Sequence, residues 1–590
     1  MNENWVEIRK SGDYLKIGRE LGISPVTARI LRNRGIETSH DMKAFMSGEG
    51  IHHDADELYS MNVLVRVMTE KIREGRKIRI IGDYDVDGIC STYILFRGLT
   101  YLGADCDYTI PHRIEDGYGI NIRLIDDAHA AGVDTIITCD NGIAAKEQTL
   151  HAGELGMTMV ITDHHEVPYE ELDGEKRWIL PDADAIVDPK LPQDTYPFKG
   201  ICGAVVAYKV IEALARARGA EGTLEYADMM LELSELAALA TVCDVCELTD
   251  ENRTIVKNGL KLMNHSRNRG LKALIEETGL SDKVLSVYHL GFVIGPCLNA
   301  SGRLDTSLKA LELFTESDPE KIRELATELK ELNESRKAMT IKETEKAIDM
   351  VLSKDRIDDV IVLLLDDCHE SLAGIIAGRV RERFSHPAFV FTPTENGLKG
   401  SGRSIEAYHM FEGLTGVKEL LSKFGGHKLA AGVSLPRENF EEFKARINEN
   451  SALTADDFKE TLRIDMELPF AYADLNLARE LEKLEPFGTG FEAPLFARRG
   501  VTFLSGRIFG KNANVASYKV LDADGKVYEI KYFGDFTELE DHVAGIYGED
   551  KKALLHSGQS VNIKLDICYR LSVNSYKGTD SASLVMKCYR

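Results

Sequence analysis

Residues 156–166 read Gly-Met-Thr-Met-Val-Ile-Thr-Asp-His-His-Glu: an apolar run that is typical of a buried β-strand ends in a carboxylate and two imidazoles. Residues 77–82 have the same form and run into Asp83, and residues 134–139 run into Asp140. Helix-length stretches separate the three runs, which predicts parallel βαβ units. Because the strands of a parallel sheet all end at one edge, we expect the polar residues that follow them to lie together there.

The residues expected at this edge suit a hard divalent cation. They are Asp83, Asp85, Asp140, His164 and His165. Carboxylates and imidazoles fit Mn²⁺ or Mg²⁺ better than a metal that prefers thiolates. Asp83 and Asp85 alternate along the chain, so both can point the same way if the segment is extended. Taken alone, this segment could equally be a solvated turn, but the similar endings of the other two strands favour a metal site.

The order of these motifs resembles a known superfamily. The segment 83–88 (Asp-Tyr-Asp-Val-Asp-Gly), the later Asp140 and the Asp-His-His triplet resemble the DHH phosphoesterases. Residues 297–303 (Cys-Leu-Asn-Ala-Ser-Gly-Arg), 399–404 (Lys-Gly-Ser-Gly-Arg-Ser) and 424–427 (Phe-Gly-Gly-His) resemble the RecJ family of single-strand-specific DNA exonucleases. Any one motif would be a weak signal, but their number and order are specific.

The resemblance implies roles for individual residues. It implies five ligands for two Mn²⁺ or Mg²⁺ ions: Asp83, Asp85, Asp140, His164 and Asp244. It implies three catalytic residues near the scissile phosphate: His165, Arg303 and His427. It also implies three residues that hold the 5′ phosphate of the DNA: Arg113, Ser401 and Arg403. One departure from the family pattern is Asn141, which stands where a cysteine or serine is more usual.

Simpler explanations exist for several of these residues. Asp244 could be a carboxylate at the end of a helix, and an isolated histidine such as His427 is more often structural. A Gly-Ser-Gly run, as at residues 400–402, is also common in turns that bind nothing. Cys243 and Cys246 form a single Cys-x-x-Cys, which leaves a zinc or redox site open. No second cysteine pair at zinc-finger spacing supports it.

The composition fits a folded, non-membrane protein. At 590 residues the chain is long enough for about three or four domains, and 44% of its residues are hydrophobic. No apolar run approaches the length of about 20 residues that a membrane span needs. The first residues lack the features of a signal peptide, and the ten cysteines are scattered. We therefore expect reduced thiols and a cytoplasmic protein.

The net charge of -24 argues only weakly against a nucleic-acid partner. Phosphate binding depends on local charge, not on the sum over the chain. Residues 371–434 contain eight Lys or Arg and five Glu, a local excess of positive charge. Bulk charge therefore does not decide the partner.

The predicted fold class is α/β. Two α/β domains, DHH and DHHA1-like, are joined by a long helix, and a β-rich OB-like domain follows. The predicted bounds are 1–60 for an N-terminal lead-in, 61–305 for the DHH domain, 306–352 for the connecting helix, 353–455 for the DHHA1-like domain and 456–590 for the OB-like, nucleic-acid-binding region. Asp318 and Pro319 mark the start of a helix. Five aromatic residues of the C-terminal region could either stack on bases or lie in the core of the strands: Tyr518, Tyr528, Tyr532, Phe533 and Tyr569.

The resemblance implies a metal-dependent 5′→3′ exonuclease that releases mononucleotides from single-stranded DNA, acting in DNA repair and recombination. We expect single-stranded DNA with a 5′ end as the partner, no membrane, and a monomer. One alternative is a DHH-family phosphodiesterase that acts on short oligonucleotides or cyclic dinucleotides. Another is a catalytically silent DNA-binding scaffold, which loss of metal ligands would mark.

Overall fold

The computed structural model describes residues 3–48, 50–113, 116–117, 119–172, 175–510, 514–576 and 578–590. The chain divides into two units. One comprises Met1–Gly50, Thr454–Phe487 and Phe491–Arg590, and the other comprises Ile51–Leu453 and Gly488–Gly490. Within the described residues, no helix is both long enough and apolar enough to cross a membrane.

The N-terminal segment contains one strand and three short helices. They are β1 (Asn4–Glu7), α1 (Tyr14–Leu21), α2 (Pro25–Asn33) and α3 (Ser39–Ser47). The side chain of Ser24 accepts a hydrogen bond from the backbone N–H of Thr27, and Pro25 occupies the first turn of α2. Both features stabilise a helix start, which is why the short pattern at this position was predictable.

The first α/β domain contains a five-stranded sheet in the order β3-β2-β4-β5-β8, and all its pairings are parallel. The three strands that the sequence predicted are β2, β4 and β5, and the prediction is confirmed. The elements up to the end of the sheet are α4 (Met61–Arg73), β2 (Lys77–Ile81), α5 (Val86–Tyr101), β3 (Asp105–Thr109), α6 (Ile122–Ala130), β4 (Thr135–Cys139), α7 (Lys146–Glu154), β5 (Thr158–Thr162), the hairpin β6 (Tyr169–Leu172) and β7 (Glu175–Trp178), and β8 (Ala185–Val187).

A helical part follows the sheet and ends in one long helix. Its elements are α8 (Gly203–Ala217), α9 (Leu224–Cys243), α10 (Asp250–Met263), α11 (Arg269–Glu277), α12 (Val287–His289), α13 (Gly295–Leu304), α14 (Leu308–Thr315) and α15 (Pro319–Leu352). The carboxylate of Asp318 accepts a hydrogen bond from the backbone N–H of Glu320, so α15 starts where the sequence indicated. Its 34 residues form the predicted long helix between the two α/β domains.

The second α/β domain contains a five-stranded mixed sheet in the order β12-β13-β11-β10-β9. Only the β9–β10 pairing is parallel. Its elements are β9 (Ile361–Leu364), α16 (Ala373–Phe384), β10 (Ala388–Thr394), β11 (Gly397–Arg403), α17 (Met410–Thr415), β12 (Lys423–Gly426), β13 (Ala430–Leu435) and α18 (Phe440–Glu449). Phe389, Phe391 and Phe443 are fully buried, and Phe443 packs edge to face against the other two rings.

The C-terminal region is a closed five-stranded barrel, which confirms the predicted OB-like β-rich domain. The barrel order is β16-β17-β18-β20-β19, and pairing of β16 with β19 closes it. The elements are β14 (Thr461–Ile464), β15 (Met466–Glu467), α19 (Leu475–Glu482), β16 (Phe496–Phe509), β17 (Val515–Leu521), β18 (Val527–Tyr532), α20 (Phe536–Tyr547), α21 (Glu549–Leu555), β19 (Ile563–Tyr576) and β20 (Thr579–Tyr589). Tyr518, Tyr532 and Tyr569 are buried in the barrel core. Base stacking is therefore the wrong explanation for these three, and the core explanation is correct.

The N-terminal segment folds with the C-terminal region. β1 pairs in parallel with β14, and Ile30 and Leu31 belong to the same buried cluster as the barrel side chains. The guanidinium of Arg34 donates to both carboxylate oxygens of Asp465, at 2.6 and 3.0 Å. Nothing in the local sequence indicates this pairing, because the partners lie more than 400 residues apart.

We predict that Arg34→Ala destabilises the unit that contains the barrel. The substitution leaves the buried Asp465 carboxylate without its cation, and breaking a buried ion pair in this way costs about 3–5 kcal/mol. Calorimetry and limited proteolysis should show a lower melting temperature and faster cleavage within residues 1–50. Arg9→Ala is the matched control, because the Arg9 side chain is 77% exposed. Equal melting of the two variants would contradict the assignment.

Candidate metal centre and phosphate-binding cavity

The carboxyl ends of the parallel strands gather the predicted ligands. Asp83 follows β2, Asp140 follows β4 directly, and His164 follows β5, and all three side chains are buried. Asp140 has a φ of 60°, in the left-handed region, which aspartate tolerates better than most residues. The expected gathering of strand-end residues at one edge is therefore present in the structure.

His164 lies at the middle of the cluster. Its Nε2 atom is 3.0 Å from Oδ1 of Asp140, 3.4 Å from Oδ2 of Asp87 and 3.9 Å from Oδ2 of Asp244. Asp244 comes from the helical part of the domain, where it ends α9. The helix-end explanation for Asp244 thus holds, and the same position brings its carboxylate to the cluster.

The side chains form three overlapping groups whose potential ligand atoms lie within 4.8 Å of one another. The groups are Asp83, Asp85 and Asp140; Asp87, His164 and Asp244; and Asp140, His164 and His165. Because the donors are carboxylate oxygens and imidazole nitrogens, they fit Mn²⁺ or Mg²⁺. The first two groups are separate in membership, which fits two ions.

Asp87 was not among the predicted ligands, yet it is central to the cluster. Its carboxylate accepts hydrogen bonds from the backbone N–H groups of Gly203 and Ala204, at 2.7 and 2.8 Å. It thereby holds the N-terminus of α8 against the site. The repeated aspartates at 83, 85 and 87 were the available signal, but alternation along an extended segment does not explain the position of Asp87, because Asp85 caps α5 and Asp87 lies in the first turn of that helix.

Asp85 both joins the cluster and starts a helix. Its side chain accepts hydrogen bonds from the backbone N–H groups of Asp87 and Gly88, at 2.9 and 3.2 Å. It is therefore the N-cap of α5. The local fold and the site depend on the same carboxylate.

Burial changes the acidity of the whole cluster. It raises the pKa of Asp83 and Asp140 well above the ordinary value for aspartate, and neighbouring carboxylates raise it further. Burial also raises the pKa of Asp85, Asp87 and Asp244. Burial therefore disfavours the ionised forms of these groups, and bound cations would favour them.

His165 is oriented by the aspartate that precedes the two histidines. Its Nδ1 atom is 2.8 Å from Oδ1 of Asp163, and Asp163 also accepts a hydrogen bond from the backbone N–H of Ile143 at 2.9 Å. Burial lowers the pKa of His165, but the hydrogen bond to Asp163 and the nearby carboxylates outweigh it and raise this pKa to about 9. In the metal-free site the imidazole, which is 42% exposed, therefore favours its protonated form at neutral pH.

The two cysteines of the Cys-x-x-Cys motif belong to no metal group among the residues that the structure describes. Cys246 donates a hydrogen bond from its sulfur to Oδ2 of Asp244 at 3.3 Å. Burial raises the pKa of Cys243, so its thiol stays protonated. The geometry gives the motif a packing role beside the cluster.

A cavity of about 850 Å³ lies beside the cluster in the same unit of the chain. Four of the predicted phosphate-contacting residues line it: Arg113, Arg303, Ser401 and Arg403. Tyr84, which lies between two of the clustered aspartates, also lines it and stacks under the Arg113 guanidinium at 4.5 Å. Tyr84 thus connects the metal cluster with the cavity.

The arginines of the cavity make it attractive to anions. Burial, together with the charges of Arg113 and Arg336, lowers the pKa of Arg303 to about 10. Burial, with Arg113 and Arg381, lowers the pKa of Arg403 as well. An anion would relieve this repulsion between like charges, and phosphate is the anion that arginine binds with two parallel hydrogen bonds.

A glycine in α16 allows the close packing of the phosphate-binding strand. A Cβ atom on Gly374 would lie 2.9 Å from Oγ of Ser401 and 3.0 Å from Nη2 of Arg403. The Arg403 guanidinium also donates to Oγ of Ser401 at 3.2 Å. Ser401 and Arg403 therefore form one polar unit against the start of this helix.

His427 lies neither in the metal cluster found among the described residues nor among the residues that line the cavity. Its side chain is exposed in the turn between β12 and β13, where its backbone N–H donates to the carbonyl of Ala430. Its catalytic role stays a prediction.

The chain matches three family models. The match is to the DHH family, N-terminal domain, over residues 77–241, to the DHHA1 domain over residues 358–452, and to the RecJ OB domain over residues 464–587. The three matches follow the order of the two α/β domains and the barrel.

Curated relatives share most of the chain. The single-stranded-DNA-specific exonuclease RecJ of Bacillus subtilis is 34% identical over 82% of this chain and 60% of that protein. The protein of the same name from Salmonella typhimurium is 30% identical over 96% of this chain and 95% of that protein. The crystal structure of RecJ from Thermus thermophilus in complex with Mn²⁺ has a TM-score of 0.79 and 25% identity, and the match covers 100% of this chain and 80% of that chain.

We predict that Mn²⁺ stabilises the protein more at pH 8 than at pH 6. A carboxyl group whose pKa is raised by folding keeps its proton in the folded state, so the metal-free fold loses stability as the pH rises above the ordinary aspartate range. Cations compete with these protons and bind more tightly as the pH rises. Melting temperatures with Mn²⁺ and with a chelator at the two pH values measure the effect.

Asp140→Asn should remove most of this Mn²⁺-dependent shift. Asp367→Asn is the control, since the Asp367 side chain is 82% exposed and lies outside the metal groups. An equal Mn²⁺ shift at both pH values, or an unchanged shift in Asp140→Asn, would contradict the proposed ligand set.

Proposed function

Because the chain belongs to the RecJ family of single-stranded-DNA-specific exonucleases, we propose that it is a metal-dependent exonuclease that removes mononucleotides from the 5′ end of single-stranded DNA. One observation carries the proposal: a single unit of the chain contains both the carboxylate–imidazole cluster and the arginine-lined cavity. In cells this activity would act in DNA repair and recombination.

The residues of the cluster would hold two Mn²⁺ or Mg²⁺ ions. Asp83, Asp85 and Asp140 would bind one ion, and His164 and Asp244, with Asp87, the other. Divalent cations in such a pair supply an acidified water and neutralise the charge that develops on the phosphate. The N-cap bonds of Asp85 and the bonds from α8 to Asp87 fix the carboxylates before substrate arrives.

His165 and Arg303 would act on the scissile phosphate itself. The protonated imidazole of His165, held by Asp163, can donate to a phosphate oxygen. Arg303 is anchored by a 2.7 Å hydrogen bond to the carbonyl of Ser371, so its remaining N–H groups are held in a fixed direction. Preorganised donors of this kind stabilise a transition state without reorganisation during the reaction.

Arg113, Ser401 and Arg403 would select the 5′ end by binding its terminal phosphate. A terminal phosphate can carry two negative charges, whereas an internal phosphodiester carries one. The neighbouring arginines would therefore bind a phosphorylated end more strongly than the middle of a strand. If this phosphate is fixed in the cavity, the next phosphodiester lies toward the cluster. Digestion would then proceed from the 5′ end, because that end is the one fixed in the cavity.

The barrel would bind the part of the strand beyond the active site, as OB folds do. We propose a monomer. A cytoplasmic location fits the ten free thiols, which include the cross-strand neighbours Cys568 and Cys588.

We predict that Asp85→Asn lowers the Mn²⁺-dependent release of labelled nucleotides by about 100-fold or more, because loss of even an outer-shell partner of a metal ligand typically costs about 10- to 100-fold. Asparagine caps helices as well as aspartate does, so the change removes a charged ligand and keeps α5. Circular dichroism should be unchanged, and binding of single-stranded DNA in EDTA should persist through the cavity. Asp228→Asn, at an exposed position, is the control. Near-normal turnover by Asp85→Asn would refute the metal site.

We predict that Arg403→Ala lowers activity on 5′-phosphorylated strands more than on 5′-hydroxyl strands. A charge-assisted contact of this kind contributes about 1.5–3 kcal/mol, which corresponds to about 10- to 150-fold in kcat/KM. Arg437→Ala serves as the control, because that side chain is 57% exposed and pairs with Asp366. Equal losses on the two substrates, or digestion from the 3′ end by the wild-type protein, would exclude the 5′-phosphate pocket.

A further inference from the structure

The second sheet presents two parallel rows of residues to the cavity. The register aligns Ser401 of β11 with Gly432 of β13, and Gly432 with Gly425 of β12. This first row contains one of the predicted phosphate contacts. All three of its residues line the cavity.

The second row lies two residues away from the first along each of the same three strands. It aligns Lys399 with Ser434, and Ser434 with Lys423, and these three residues also line the cavity. Side chains directly opposite each other on antiparallel strands have Cβ atoms about 4.5–5.5 Å apart. The row therefore places two ammonium groups on either side of a hydroxyl.

The space above the first row is open toward the second. A Cβ atom added to Gly425 or to Gly432 would meet no atom within 4 Å. The backbone thus forms a floor free of side chains between Ser401 and the cavity wall. The sugar or base of a nucleotide can lie on this floor, with one phosphate at Ser401 and the next phosphate at the second row.

The charges of the second row are not balanced. Lys399 has an ion pair with Glu370 at 3.2 Å. In the described part of the chain, the ammonium of Lys423 makes neither a hydrogen bond nor an ion pair. The row therefore keeps a positive charge, and its two ammonium groups and one hydroxyl can all donate to an anion.

We propose that Lys399, Ser434 and Lys423 form a second anion subsite, which binds a backbone phosphate of the same DNA strand whose terminal phosphate lies at Ser401 and Arg403. The subsite rests on the proposed exonuclease function and extends it. It would make the enzyme engage two phosphates of one strand at once in the cavity.

The spacing of the rows supports a phosphate on a different nucleotide. Equivalent positions two residues apart on a strand are separated by about 6.8 Å. Two phosphorus atoms that share one bridging oxygen are much closer than this. The second row therefore fits a phosphodiester along the strand, and a 5′ diphosphate fits it poorly.

A linkage scan tests the subsite. Binding of 5′-phosphorylated 12-nucleotide strands is measured in EDTA, with a neutral methylphosphonate placed in turn at each of the first four linkages. For Lys423→Ala we expect about tenfold weaker binding of the natural strand. The slope of log affinity against log salt should fall by about 0.7. At one internal linkage, the methylphosphonate should weaken wild-type binding and abolish the effect of Lys423→Ala.

Two further variants control the scan. Lys423→Arg should keep the coupling, because it keeps the charge. Lys418→Ala removes a lysine of the same domain that does not line the cavity, and it should bind every strand as the wild type does.

Three results would overturn the subsite: no loss in Lys423→Ala, an equal loss on every strand, or coupling to the terminal 5′ phosphate alone. These outcomes differ from failure of the proposed function. In that case the wild-type protein would release no nucleotides from the 5′ end of single-stranded DNA. A wild type that digests as proposed, with no coupling at Lys423, refutes only the second subsite.

Discussion

The central constraint on this structure is the burial of several carboxyl groups at one edge of a parallel sheet. Asp83, Asp87 and Asp140 are almost fully buried, and the carboxylates of Asp87 and Asp140 lie beside His164. Burying like charges together without cations costs several kcal/mol. The raised pKa values of the cluster are the expression of that cost. A fold that keeps such an arrangement is one whose stability and activity both respond to divalent cations.

The cavity beside the cluster has the opposite character. Burial lowers the pKa of both Arg303 and Arg403, and the nearby charge of Arg113 lowers both further. A phosphate chain bound between cations and arginines would satisfy both sides at once. This explains why a chain with a net charge of -24 can act on a polyanion: the relevant charges are local. Tyr84 connects the two features, because it lies between Asp83 and Asp85 in the chain and its ring stacks against Arg113 in the cavity.

In the unit that contains the barrel, a buried carboxylate is neutralised by a buried arginine. Arg34 and Asp465 are buried as a bidentate pair, with further hydrogen bonds to the carboxylate from Asn33 and Leu495. Such a pair fixes one geometry because each partner is costly to bury alone. The N-terminal segment is therefore part of the barrel unit, although the sequence presents it as a separate lead-in.

The sequence by itself determined the strands that end in acidic or imidazole residues, the helix that starts at Pro319, and the gathering of Asp83, Asp140 and His164. These features are local, because hydrophobic periodicity and capping residues act over a few positions, and the parallel topology brings strand ends together. The tertiary structure alone decided which residues complete the site. Asp87 gains its place from the start of α8, more than 100 residues away. His427 was left in an exposed turn, and the barrel tyrosines went to the core, because packing between distant segments decides which side of a strand is buried.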